Sequence, residues 1–272
     1  MNKKYDFGFN DKELQDIIHY IYPKDISIEE GKKFMYQIVS NNNGIDVDRF
    51  DYLLRDIKMT GLNYGIESER IMQNSKISNG EIIYSEKVRT NIEEFFHVRS
   101  IMYKEVYNHR TVRSIEFMMK DFIREFNNLY NIKGIIENDN WSDFIQLNDS
   151  ITHLQTLKKD LNKNEINMRD IIHSITSRNI YKCVGELLIH KIYKPYLSYD
   201  KVNIVVDSIN ISNSNEENCK YYNEEKYFSK ETDLINNRYI LRIYIKDEKY
   251  RTEATKLFQI LKYQFSGSSP SS

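Results

Sequence analysis

Apolar residues recur at helical spacing over most of the chain, and the period changes after Pro195. Asp11-Lys12-Glu13-Leu14 opens an amphipathic stretch through Ile17, Ile18 and Tyr20 that stops before Pro23. Phe34, Met35, Ile38 and Val39 mark a second helix, for which Asp25 or Ser27 offers a cap. Asn41-Asn42-Asn43-Gly44 is a turn. A helix starting near Asp46 then runs to about Met59, with Gly61 placed to end it. Its apolar face carries Phe50, Leu53, Leu54 and Ile57. Ile82-Ile83-Tyr84 is strand-like, because β-branched and aromatic residues cluster there. From about Ser85 to Tyr130 the pattern predicts a long helical region, with Ile92, Phe95, Phe96, Met102, Phe117, Phe122 and Phe126 among its core positions. Trp141 to His173 stays helical. Beyond Pro195, Val202–Asn210 and Arg238–Ile245 read as strands around the polar loop Ser212–Asn218, and Glu248–Phe265 closes with a helix. The predicted fold class is mostly α with a small α+β C-terminal lobe. A helical domain spans 1–195, the lobe 196–265, and a low-complexity tail 266–272 is expected to be disordered.

Composition narrows the options. The chain has 272 residues, 40% of them hydrophobic, enough for a real core. A net charge of -1 with a pI near 6.6 does not point to a strongly basic nucleic-acid binder, and leaves room for a local basic patch. Cys183 and Cys219 are the only cysteines, and the polar start Met1-Asn2-Lys3-Lys4 lacks an apolar leader core. Both features point to free thiols in a reducing, intracellular compartment, cytoplasmic or nuclear. No apolar run approaches the ~20 residues that span a bilayer.

The segment with most chemistry is Asn43 to Asp56. A helix beginning near Asp46 places Asp48, Tyr52 and Asp56 four residues apart on one face, beside the apolar stripe. That spacing fits a solvated face as well as a pocket wall. The six histidines, His19, His97, His109, His153, His173 and His190, show no ligand-pair spacing.

The wording of the segment adds more. Asn43-Gly44-Ile45-Asp46-Val47-Asp48-Arg49-Phe50-Asp51-Tyr52 resembles the stretch carrying the last metal ligand in the SAM- and HD-domain-containing deoxynucleoside triphosphate triphosphohydrolases. His97-Val98-Arg99 with Tyr107-Asn108-His109-Arg110 is similar to that family's His-x-Arg … Tyr-Gln-His-Lys stretch. Ser177-Arg178-Asn179-Ile180-Tyr181-Lys182-Cys183-Val184-Gly185-Glu186 is similar to its Tyr-Arg-Asn-Leu-Phe-Lys-Tyr-Val-Gly-Glu. The resemblance covers roughly residues 33 to 265, with the motifs in the family's order. It implies a truncated HD-domain-like helical bundle.

It also implies roles. The family hydrolyses a dNTP to deoxynucleoside and triphosphate, using a divalent metal (Zn, Fe, Mn or Mg) held by a His … His-Asp … Asp tetrad. Asp48 matches the last ligand, and no His-Asp dipeptide occurs in this sequence. The expectation is therefore a chain that does not bind the metal, or catalyse, alone. Asp48 and Arg99 match catalytic positions; Arg49, Tyr52, Asp56, Tyr107 and Asn108 match substrate-binding ones. Arg49 stands for a lysine, and Asn108 for a glutamine one methylene longer. Arg70, Lys87, His109, Arg110, Arg178 and Lys182 match positions around the family's activator nucleotides, whereas Glu105 replaces a basic residue. Implied partners are dNTP- and GTP-type nucleotides and a homo-oligomer, or a hetero-oligomer with a complete relative. A non-catalytic nucleotide-binding or regulatory module is the alternative, and a helical structural or interaction protein the second.

Overall fold

The computed structural model describes residues 8–22, 31–41, 44–152, 160–190, 193, 203–211, 219–223, 226–228 and 239–266. In chain order the helices are α1 (Asp11–Ile21), α2 (Lys33–Val39), α3 (Val47–Thr60), α4 (Ser68–Gln73), α5 (Arg89–Met102), α6 (Arg110–Tyr130), α7 (Ile132–Glu137), α8 (Trp141–Phe144), α9 (Lys163–Thr176) and α10 (Arg251–Ser266). The strands are β1 (Ser75–Ser78), β2 (Glu81–Ser85), β3 (Lys182–Ile189), β4 (Ile204–Asn210), β5 (Tyr221–Asn223), β6 (Lys226–Phe228) and β7 (Tyr239–Ile245). The chain is thus mostly α with small sheets, as its periodicity predicts. It folds as two compact units, Met1–Glu105 with Ile211–Asn237, and Val106–Asn210 with Arg238–Ser272.

In the first unit, Asn10 and Glu13 close a capping box over α1, and Tyr20 meets Tyr36 of α2 edge-on at 4.9 Å. Asp46 caps α3 by accepting from the Arg49 amide, and Gly61, at φ 70, ends it. Phe50, Leu53 and Ile57 are buried, whereas Leu54, expected on the same apolar face, is exposed because it projects past the stripe. Phe50 joins α3 to α5 by an edge-on contact with Phe95 at 5.2 Å. β1 and β2 form a hairpin through Asn79 and Gly80, whose φ values of 49° and 74° suit a two-residue primed turn. β5 extends β2 in parallel and β6 follows, giving the order β1-β2-β5-β6.

Glu81, at the start of β2, ties this unit together. It accepts from Lys220 and from Lys33. The Lys220 and then the Lys33 hydrogen bond hold its carboxyl below the ordinary glutamate value. A carboxyl depressed in the folded state contributes stability above its unfolded pKa, and loses it as pH falls through the folded value. Acidification through the carboxylate range should therefore lower the melting temperature more for wild type than for Glu81→Gln; parallel curves would remove Glu81 as the cause.

The helical region expected from Ser85 to Tyr130 is divided. A 3-10 turn over Glu86–Val88 precedes α5, a π turn over Tyr103–Tyr107 follows it, and His109 caps α6. In the second unit α6 packs on α9 through Phe122, Phe126 and Met168. A three-stranded antiparallel sheet, order β3-β7-β4, carries β7 in the middle. Alternate β7 residues separate by face. Leu241, Ile243 and Ile245 pack with Ala254 and Leu261 of α10, and Tyr244 packs with Val205 and Phe117 of α6. β3 lies where helical structure was expected to continue towards residue 195; it pairs with one edge of β7 and bulges between Cys183 and Gly185, under the Phe258 ring. The two predicted C-terminal strands and the closing helix form as β4, β7 and α10. The expected caps Asp25 and Ser27, the polar loop Ser212–Asn218 and the tail from Gly267 lie outside the described residues. Among the described residues no helix is long and apolar enough to cross a membrane.

Candidate functional site

α3 carries the polar row. Asp48 is exposed in its first turn, and Tyr52 and Asp56 follow at one-turn intervals, each half-buried. The buried Phe50, Leu53 and Ile57 fix the helix beneath them. Asp56 also meets the Arg55 guanidinium at 3.3 Å, and Arg55 reaches Asp51 at 2.6 Å.

Arg49 is engaged locally. Its guanidinium lies against the carboxylate of Asp46 and reaches the Asn41 carbonyl at 3.3 Å. Asp46 is buried, and also accepts from the Asn41 amide at 3.2 Å and the Arg49 amide at 2.9 Å. Arg49 thus neutralises the buried cap of its own helix. This i,i+3 pairing is open to any helix with an acid at its cap and an arginine one turn on.

On α5, His97 is exposed and Arg99 half-buried. Arg99 follows Phe95 by four residues and so shares its face. Its guanidinium stands 5.8 Å from the Tyr103 ring centroid. Its Nε is buried without a hydrogen-bond partner. A buried donor left unsatisfied costs about 1–3 kcal/mol, so native structures keep few of them. A phosphate oxygen is an acceptor that fits a guanidinium well. In the same unit Arg70 is exposed and 3.8 Å from Glu67, Lys87 is exposed in the 3-10 turn, and Glu105 lies 2.9 Å from Lys104.

The second unit holds the other sequence-derived residues. Tyr107 ends the π turn, half-buried, and Asn108 follows with its carbonyl bonded by Arg242. His109 caps α6, its Nδ1 accepting from the Thr111 amide at 3.3 Å, and Arg110 is exposed. Arg178 adopts a left-handed φ of 61° just past α9 and is exposed. Lys182 opens β3 at a cleft of about 510 Å³ that Asn179, Tyr181, Lys246, Asp247 and Glu248 also line. Sequence reading missed Arg242 and the Arg113–Asp207 pair. The available signal was a charged residue at the centre of an otherwise apolar strand.

Among the described residues no three His, Cys, Asp or Glu side chains converge as a metal site. Asp48 is exposed, and a catalytic transition-metal site takes about three protein ligands.

Residues 66–218 match the model of the HD associated region. The match covers more than half of the chain, which belongs to this family of HD-associated proteins. Within that class, the chain is similar to deoxynucleoside triphosphate triphosphohydrolases. The SAMHD1 homolog of Dictyostelium discoideum is 36% identical over 181 residues, which are 65% of this chain and 32% of that protein. An HD domain-containing protein of Acanthamoeba polyphaga mimivirus is 32% identical over 65% of this chain and 41% of its own length. Human deoxynucleoside triphosphate triphosphohydrolase SAMHD1 is 29% identical over 58% of this chain and 27% of its own. The chain thus spans roughly a third of the length of these curated relatives. The family resemblance read from the motifs is borne out. α3, with Asp48, Tyr52 and Asp56, lies ahead of the matched region.

Proposed function

We propose that this chain supplies a dNTP-binding part of a deoxynucleoside triphosphate triphosphohydrolase. The observation that carries the reading is Arg99, whose buried Nε lacks an acceptor. A triphosphate oxygen would satisfy it with a charge-assisted bond, about twice the strength of a neutral one. Tyr52 and Asp56, on the helix that Phe50 seats against Phe95, offer an aromatic surface and an acceptor for the sugar. Tyr107, Asn108 and His109 offer the second unit's own contacts to nucleotide. The relatives' names support the substrate class. Hydrolysis would draw its metal ligands from beyond the described residues, in an oligomer of this chain or with a complete relative, inside the cell where dNTPs are found.

Binding is the direct test. Titration of the purified chain with dGTP, by calorimetry and by melting temperature, is expected to show saturable stabilisation, because a ligand of the native state raises it. Arg99→Ala should weaken binding by about 1.5–3 kcal/mol, the scale of a hydrogen bond to a charged group. Arg169→Ala, on the exposed side of α9, should bind as wild type does. Equal affinity in the Arg99→Ala chain would remove Arg99 from the site.

A further inference from the structure

Arg242 sits in the middle of the central strand of the second unit's sheet, flanked by Leu241 and Ile243. The residue is 3% exposed. A buried charge is costly unless its hydrogen bonds are made, and a well-packed apolar residue would often be as stable. The bonds that Arg242 makes are directional. Its Nε donates to Glu186 at 2.6 Å on the adjoining strand β3, in register with it. Its Nη1 reaches out of the sheet and donates to the carbonyl of Asn108.

That carbonyl lies between the π turn and the His109 cap, in a peptide whose amide, on His109, donates to the Val106 carbonyl of the π turn at 3.2 Å. The Val106 bond holds the amide end of the Asn108–His109 peptide plane and the Arg242 bond its carbonyl end, and the exit directions of Tyr107 and His109 follow from the plane. The same end of α6 is tied down a second time. Arg113, in its first turn, forms a bidentate pair with Asp207 at 2.9 and 2.8 Å. Asp207 is the β4 register partner of Arg242. The Arg113 pair fixes the helix, and the Arg242 bond fixes the turn that leads into it.

We infer that Arg242 is a positioning residue, which sets the Tyr107-Asn108-His109 turn in the geometry that recognises the nucleoside part of a nucleotide. The inference rests on the dNTP-binding reading. Arg242 acts through the Asn108 carbonyl and is itself buried from ligand.

Arg242→Met keeps an unbranched apolar stem in the core and removes the donors. Arg242→Lys keeps the charge and an ammonium donor group but not the guanidinium fork. Three measurements on the intact chain test the idea: affinity for dGTP, affinity for inorganic triphosphate, and amide exchange along α6 and the turn before it. In Arg242→Met, exchange at His109 and Thr111 should quicken at least about tenfold, with exchange from Phe117 to Phe126 unchanged. Affinity for dGTP should fall about tenfold or more while affinity for triphosphate holds, because the turn serves the nucleoside. Arg242→Lys should recover part of the dGTP affinity. Unchanged exchange at His109, or equal losses for dGTP and triphosphate, would overturn the positioning role. Exchange that quickens throughout α6 would reduce Arg242 to a structural residue and overturn it too. A wild-type chain that binds neither probe sinks the nucleotide reading, and the recognition role with it. A wild-type chain that binds dGTP while Arg242→Met binds it equally well overturns this inference alone.

Discussion

Phe95→Ala is expected to cost about 3–5 kcal/mol, the range for deleting a fully buried aromatic side chain. Phe95 is 0% exposed on α5. It meets Phe50 of α3 at 5.2 Å and Phe96 at 5.3 Å, both edge-on. The alanine therefore removes transfer energy and two aromatic contacts, and opens a cavity between the helix of the polar row and the helix of Arg99. Urea titration read by far-ultraviolet dichroism gives the loss. Phe95→Leu, which keeps most of the volume, should lose far less. Both variants within 1 kcal/mol of wild type, on the order of an ordinary surface change, would mean that Phe95 does not seat α3. Nucleotide binding should fall with stability in the alanine variant, because α3 loses its support.

Gly80→Ala is the second large effect. Gly80 is the last residue of the β1–β2 turn, at φ 74. A left-handed backbone costs an L residue about 1–2 kcal/mol. An added Cβ would also overlap the backbone of Gly31, and the Gly80 carbonyl accepts from the Phe34 amide at 2.7 Å, so the turn cannot shift freely. Overpacking of this kind adds about 1–3 kcal/mol. Gly61 is the internal control: its φ is 70, yet a Cβ there meets nothing within 4 Å. Gly61→Ala should carry the backbone cost alone. Equal melting temperatures for the two variants would show that the contact with Gly31 contributes nothing.

The helices were legible where a 3.6-residue period ran uninterrupted. α3, α5 and α6 bury positions that the period selects, such as Leu53, Phe95, Phe96, Phe122 and Phe126. The breaks between them were harder to read. The π turn at Tyr103–Tyr107 keeps apolar residues at near-helical spacing, so nothing in the pattern marks it. The β1–β2 hairpin carries its signal in Asn79-Gly80, between Ile77 and the strand-like Ile82-Ile83-Tyr84. β3 was hidden because Gly185 and Glu186 interrupt its alternation, and its bulge beneath Phe258 depends on tertiary contact. The row Asp48, Tyr52, Asp56 followed from spacing. The engagement of Arg49 with Asp46 is local, one helical turn apart, whereas that of Arg242 with Asn108 needed a partner that only the fold brings close.

The sheet of the first unit has a consequence for how the chain is made. β2 pairs in parallel with β5, so Tyr84 waits for Tyr221. The polypeptide passes between the units after Glu105, after Asn210 and after Asn237. The first unit is therefore unfinished until a segment made after β4 returns to it. Growing chains ordinarily complete an N-terminal domain first, and long-range parallel pairing is slow. Here the second unit can gather only up to β4 before the first is closed, and its central strand β7 emerges last of all its strands. A nascent chain released early would expose the β2 edge and the unpaired edges of β3 and β4 together. Such a chain is a ready template for pairing with another copy of itself.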